Sequence, residues 1–431
     1  MAIRNSCSVP GVLTLHEELT ITARGAKGNG VARHEGRAIH VPYTLAGERI
    51  VATVDGERGE LNEVLLPSPD RVAPFCQYFG HCGGCALQHW APESYALWKR
   101  GLLGNALLQQ GLETTIKPLI NAHGAGRRRV VFHARKKDGR AEAGFMARGT
   151  HDLVAIERCP ILVPALADAP ALATRLAQII DSDKPLDIHL TATDSGIDCD
   201  VRGLGPPSDR QRRRLVENFD GFGLARLSVH GALVALRNDP VLRIGRATVV
   251  VPSGSFLQAT AEGEAALTTI AVEMAGNAKK IADLFCGVGP FSLRLAEKAG
   301  VSAFDSDEKA VAALSSARAE GLKPIKASVR DLFRVPLVPT ELNGFDAVLL
   351  DPPRAGAKAQ MAELARSDVP RIISVACDVK SFARDAKILI EAGYTCERVV
   401  PVDQFAYSAH LEMIGLFTKI VAPARKRRLL G

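Results

Sequence analysis

From residue 256 onward the chain alternates short apolar strands with helical stretches, an order that few architectures accept. IADLF, VSAFD, IKAS, AVLLDPP and RIISVAC read as strands separated by helices, and TCERVVPVD and MIGLFTK as closing strands. A strand–helix–strand run has to cross over and pair in parallel, so the pattern predicts an α/β fold built on a doubly wound, mostly parallel sheet. Ligands of such sheets sit at the carboxyl ends of the strands, and the functional residues are sought there.

The rest of the chain has a different character. Residues 12–67 are short alternating strands broken by glycine turns, the pattern of a small five-stranded barrel, of the oligonucleotide-binding type or another of that size. A proline-marked boundary, LPSPDRVAPF, leads into residues 68–255, which are strand-rich around the helical ALADAPALATRLAQIIDS and read as a central α+β domain. With residues 256–431 this makes three domains, as expected for a chain of 431 residues. No apolar run reaches the roughly 18 residues of a membrane span, and the N-terminus lacks the pattern of a secretory signal. The expectation is a cytoplasmic protein with no membrane partner.

The segment IADLFCGVGPFSLRLAEKAG sets a strand before Gly287-Val288-Gly289 and a helix after it. Glycines in that turn let a ligand approach the backbone closely. The third glycine of the dinucleotide fingerprint is missing, and Asp283 lies in the strand just before the turn, suited to the amino-acid end of a cofactor that has no pyrophosphate. The next strand ends at Asp305, whose carboxylate suits the two ribose hydroxyls of an adenosine, with an N-cap of the following helix as the other reading. Asp331, after the third strand, is suited to an adenine amino group, with Ser328 and Arg330 competing for that role.

DAVLLDPPRAG ends its strand at Asp351-Pro352-Pro353-Arg354, because proline cannot continue the ladder. Cys377 closes the following strand, on the same edge. Read alone, a strand-end cysteine is more often a buried core thiol. A helix begins directly after it, however, and a helix N-terminus favours the thiolate, so Cys377 is the candidate nucleophile. Near the C-terminus HLEMIGLF offers His410 and Glu412 just before the final strand, with Glu412 the candidate base and His410 an orienting residue.

Cys76, Cys82, Cys85 and the distant Cys159 form C-x5-C-x2-C plus one, which suits zinc or an iron–sulfur cluster without separating them. Formal net charge is +7, and basic residues gather at 127–129 with 135–137, at 210–214 and in the tail ARKRRLLG. Each cluster alone fits solvated surface; together they lean toward nucleic acid.

Taken in order, GNGVAR and HVPYTLAGE in the barrel, FLQ with Gln258, DLFCGVGPFSL, LLDPPRAGA, the cysteine strand with its following ARD and the terminal HLE resemble the RNA 5-methyluridine methyltransferases. The whole chain takes part. The resemblance implies a class I Rossmann-like methyltransferase domain behind a TRAM-like barrel, with S-adenosyl-L-methionine as methyl donor. It implies Cys377 as nucleophile and Glu412 as base, with Gln258, Phe285, Asp305 and Asp351 around cofactor and substrate, to which the turn and strand readings above add Gly287 and Asp331. It also implies a [4Fe-4S] cluster on the four cysteines and a monomer acting on ribosomal RNA, with transfer RNA, or an RNA-binding protein without catalysis, as alternatives. Two departures stand out: the family's SCNP is here Ala376-Cys377-Asp378-Val379, and Pro290 stands where the turn usually carries Asn.

Overall fold

The computed structural model describes residues 16–419, so the basic tail ARKRRLLG and Cys7 lie outside the described residues. The chain divides into two compact units: the chain up to Gly80 with Cys85–Tyr95 and Tyr407–Ala409, and His81–Gly84 with Ala96–Ala406 and the chain from His410.

The first unit holds a closed five-stranded barrel, with strands ordered His16–Arg24, Gly30–His34, Arg37–Val41, Arg58–Leu66 and Arg49–Asp55. Alternation puts Leu19, Ile21, Ala32, Ile39, Val41, Ile50 and Ala52 inside. Gly30 has to lack a side chain, since a Cβ there would lie 2.1 Å from Thr44 Oγ1. The fully buried Glu48 accepts from Arg71 Nε at 2.5 Å and from Leu45 N at 2.7 Å, so the TLAGE segment is held by a charge that burial alone would disfavour.

The second unit contains two large sheets. One is a seven-stranded, largely antiparallel sheet from Arg129–Lys137 to Ala232–Leu236, with helix Ala169–Ile180 packed on it. The arginine run that opens this sheet is not a solvated basic patch. Arg128 is 7% exposed and pairs with Glu264 at 2.5 Å, and Arg129 Nη1 donates to Leu257 O at 2.7 Å. Both tie the sheet to the segment that carries Gln258. Residues 210–214 instead lie on the helix Asp209–Glu217, opened by a capping box of Ser208 and Gln211.

The other sheet has eight strands: β1 (Ile120–Asn121), β2 (Lys280–Leu284), β3 (Gly300–Asp305), β4 (Ile325–Val329), β5 (Ala347–Leu350), β6 (Arg371–Ala376), β7 (Thr395–Asp403) and β8 (Glu412–Thr418). Their order is β4-β3-β2-β5-β6-β8-β7-β1. The helices include α1 (Ala261–Ala275), α2 (Pro290–Leu295), α3 (Glu308–Ser315), α4 (Lys358–Ala365) and α5 (Val379–Glu391). Strands β2 to β6 pair in parallel, with Leu284 opposite both Phe304 and Leu350. The residues of β2, β5 and β6 are almost wholly buried, which explains the unbroken apolar run of AVLL, whereas the edge strand β4 is partly exposed. Strand β8 enters antiparallel between β6 and β7. Two pieces from before residue 256 join these elements: β1 pairs with β7, and the hairpin Val241–Ile244 and Ala247–Val250 pairs with Arg318–Ala319. Among the described residues no helix is long and apolar enough to cross a membrane.

Candidate active site

The parallel register brings the ends of β2, β3, β5 and β6 side by side, and with them Phe285, Asp305, Asp351 and Cys377. The turn after β2 is built for close approach. Phe285 adopts φ +63°, Gly287 φ +53° and Gly289 φ +88°. A Cβ on Gly287 would meet nothing within 4 Å, whereas one on Gly289 would lie 2.4 Å from Leu314 Cδ1. The first glycine therefore leaves space for a ligand, and the second lets α2 pack. Pro290 opens α2, where its missing N–H costs nothing, so this departure from the family pattern is locally neutral.

Asp305 does not cap the following helix. Asp307 does, accepting from Lys309 N and Ala310 N, while Asp305 accepts from Gly287 N and Asp307 N, both at 2.9 Å. Its carboxylate thus braces the turn. Asp283 is fully buried: Oδ2 accepts from Ser292 Oγ at 2.5 Å, and Oδ1 has no partner among the described residues. Burial pushes this carboxyl up to about 7, against the pull of Ser292. Asp331 accepts from Phe333 N at 3.0 Å and Arg334 N at 3.2 Å, which closes the turn after β4 and sets Phe333 at a tilt against Phe285, 5.2 Å between ring centroids. Of its competitors, Arg330 is engaged with Glu341 and the Val335 and Pro336 carbonyls.

The loop after β5 is clamped by α5. Asp385 is 3% exposed and accepts from Ala357 N and Arg384 Nε, both at 2.8 Å, while Arg384 Nη2 donates to Ala355 O at 2.9 Å. Gly356 sits at φ +73°, where a Cβ would lie 2.5 Å from Asp385 Oδ2. The ARD after the cysteine strand is therefore the anchor of the DPPRAGA loop. Asp385→Ala leaves a buried N–H unpaired and is expected to cost about 2–3 kcal/mol, read as a lowered urea midpoint, with Asp385→Asn recovering part of it.

Cys377 stands between β6 and α5. Asp378 is the N-cap of α5, accepting from Ser381 N at 2.9 Å and Lys380 N at 3.1 Å. That gives the unusual Asp378 a structural task. The thiol, however, is not set up as a thiolate. Burial pushes it up to about 12, Glu412 and Asp351 push in the same direction, and only Arg354 opposes them. The expected gain from the helix N-terminus is outweighed, because the carboxylates share the same dry edge.

Glu412 reaches that edge through β8. Ala376 pairs with Met413, and one further step of the antiparallel register brings Cys377 opposite Glu412. Glu412 is 2% exposed, and its Oε2 has no partner among the described residues. Burial and the facing Asp351 push it up to about 8, while a hydrogen bond from Gln404 pulls it down. Asp351 is likewise raised by burial.

Gln404, which the sequence reading missed, organises this centre. It is fully buried: its Oε1 accepts from Ala259 N at 2.8 Å, and its Nε2 donates to Gln258 Oε1 at 2.6 Å. Gln258 Nε2 then donates to Asp351 Oδ2 at 3.1 Å, so the donor order of both amides is fixed. Next to Gln404, the buried Lys99 pairs with Asp403 at 2.5 Å and fixes the 403–405 backbone. A lone Gln in VDQF carries no periodic or motif signal by which it would be found. His410 lies at the surface with its ring 6.0 Å from that of Phe405.

The four cysteines are half-buried, Cys76 and Cys85 in the first unit and Cys82 and Cys159 in the second. Among the described residues no group of three or more His, Cys, Asp or Glu side chains stands ready to hold a metal ion.

A family model described as tRNA (uracil-5-)-methyltransferase matches residues 242–420. An RNA methyltransferase of Caulobacter vibrioides is 44% identical, over 94% of this chain and 100% of its own. A 23S rRNA (uracil(1939)-C(5))-methyltransferase of Chromohalobacter salexigens is 34% identical, over 93% of this chain and 89% of its own. Among solved structures, the tRNA (uracil-54, C5)-methyltransferase of Pyrococcus abyssi in complex with S-adenosyl-L-homocysteine has a TM-score of 0.71 at 22% identity, over 93% of this chain and 100% of its own. That likeness extends from the small barrel through the α/β sheet and establishes the fold.

Proposed function

The chain belongs to the RNA (uracil-C5)-methyltransferase family, and from that premise we propose that it methylates C5 of a uridine in large-subunit ribosomal RNA through a covalent bond to Cys377. The observation that carries the mechanism is the register of β8, which sets Glu412 opposite Cys377 beside Asp351. The relative that acts on 23S rRNA supports the ribosomal substrate; the description of the family model favours transfer RNA as the second reading.

The open space at Gly287, the unpartnered Asp283 Oδ1 and the strand-end Asp305 fit S-adenosyl-L-methionine, which when bound supplies an electrophilic methyl group. C5 of uracil is too weak a nucleophile to take that group unaided. Sulfur of Cys377 bonds to C6 as the thiol proton passes to water, and the C5–C6 electron pair becomes an enolate. After C5 is methylated, the Glu412 carboxylate removes the C5 proton, the double bond re-forms and the thiolate is expelled. Gln258, locked by Gln404, holds Asp351 at the same edge.

Labelled methyl transfer to deproteinised 23S rRNA and to bulk transfer RNA, followed by nucleoside chromatography, tests this reading. Label is expected in 5-methyluridine from 23S rRNA; label in neither RNA sinks it. The spacing of Cys76, Cys82, Cys85 and Cys159 suits zinc or an iron–sulfur cluster, and the family resemblance alone favours [4Fe-4S]; no step of methylation passes through it. Colourless, iron-free protein after anaerobic purification would rule it out.

A further inference from the structure

Within the second unit a cleft of about 430 Å³ opens between the seven-stranded sheet and the start of α3. Its lining includes Arg202, His230, Ser253, Gly254, Ser255 and Lys309. None of these has a part in the methylation chemistry.

Its chemistry is that of an oxyanion site. The hydroxyls of Ser253 and Ser255 are buried with no hydrogen-bond partner among the described residues, and Ser255 is 9% exposed as a whole. A buried hydroxyl without a partner is costly unless a ligand completes it. The nearby carboxylates are already engaged. Asp200 accepts from Arg202 Nε at 2.9 Å and Gly231 N at 2.8 Å, and Asp307 caps α3. Arg202 is thereby fixed in place with further donors to spare, and Lys309 is exposed and makes no ion pair within 4.0 Å among the described residues. His230 sits at φ +50°, and its Nε2 accepts from Gly205 N at 3.0 Å, which leaves Nδ1 as the ring's donor. Gly254, at φ +77°, has no room for a side chain, since a Cβ there would lie 2.5 Å from Arg202 Nη2. The serine loop and the guanidinium are in close approach by construction.

The cleft is also tied to the reaction edge along the chain. Ser253 to Ser255 run directly into Phe256-Leu257-Gln258, and Lys309, in the first turn of α3, comes shortly after Asp305 at the end of β3. We propose that this cleft binds a phosphodiester of the substrate RNA and so fixes the strand from which the target uridine is presented. Phosphate contacts position a nucleic acid without reading its sequence. S-adenosylmethionine carries no phosphate and does not account for the site.

The proposal rests on the RNA substrate proposed above, and Lys309→Glu tests it. Anisotropy with a labelled 23S rRNA fragment over a series of KCl concentrations should show binding weakened roughly tenfold, with the salt slope reduced by about one. In turnover, KM for RNA should rise more than kcat falls. Lys309→Arg should restore binding, and Ser253→Ala should weaken it roughly threefold. An unchanged affinity and slope in Lys309→Glu would overturn the proposal. Phosphatase-treated RNA separates the sources: an internal phosphodiester leaves the Lys309 effect intact, whereas its disappearance would assign the cleft to a terminal phosphate and overturn the proposal. Wild-type protein that binds no RNA would be a failure of the functional reading; wild type that binds and methylates while Lys309→Glu matches it would be a failure of the cleft alone.

Discussion

Cys377→Ala is expected to abolish methyl transfer, a fall of at least about 10⁴-fold, because without sulfur at C6 no enolate forms and C5 has no electron pair to offer. The covalent step has its own readout. With RNA carrying 5-fluorouridine, wild-type protein adds at C6 and transfers the methyl group, but fluorine cannot leave C5 as the proton does, so elimination stalls. A protein–RNA adduct that survives denaturation should accumulate with wild type and be absent with Cys377→Ala. Active wild-type protein that yields no adduct would sink the covalent route. The same thiol should be sluggish in the ligand-free protein. Burial, Glu412 and Asp351 hold it up at about 12, so at neutral pH it is almost wholly protonated. Alkylation of Cys377 by iodoacetamide should therefore be slow, and above about pH 8, where Glu412 is ionised, it should be faster in Glu412→Gln, which lacks that opposing charge.

The slow thiol also marks how far the sequence alone reaches. The α/β alternation after residue 256 located the parallel strands, since apolar runs such as AVLL are buried on both faces and are legible as such. It placed Phe285, Asp305, Asp351 and Cys377 on one edge for the same reason: all four follow directly on, or end, parallel strands. Glu412 was legible only as a carboxylate before a last strand. What brings it to Cys377 is the insertion of β8 between β6 and β7, a long-range pairing that no local pattern encodes. Gln404 was invisible for a related reason, because its meaning lies in two hydrogen bonds of its side-chain amide to residues 145 and 146 positions away. The arginine run at 127–129 misled, since charge in a sequence does not reveal that Arg128 has a buried partner in Glu264. The thiol's environment was misjudged because it depends on summing burial with charges drawn from three strand ends.

That sum bears most directly on Glu412. Its replacement by glutamine keeps the shape and the contact with Gln404 but removes the base. Addition and methylation remain open to Glu412→Gln, while loss of the C5 proton does not. Turnover should fall roughly 10³-fold, and a denaturation-resistant adduct should build up on ordinary uridine RNA, with no fluorine required. Wild type should show no such adduct. The pH dependence follows from the direction of the shift. Burial and Asp351 raise the Glu412 carboxyl to about 8, so below that pH it is mostly protonated and unable to accept the C5 proton. The kcat of wild type should therefore climb with pH up to about 8 and then level, and the residual turnover of Glu412→Gln should lose that limb. If the variant releases its product as readily as wild type, or keeps the same rising limb, another group removes the proton, and Asp351, raised by burial on the same edge, becomes the residue to test in its place.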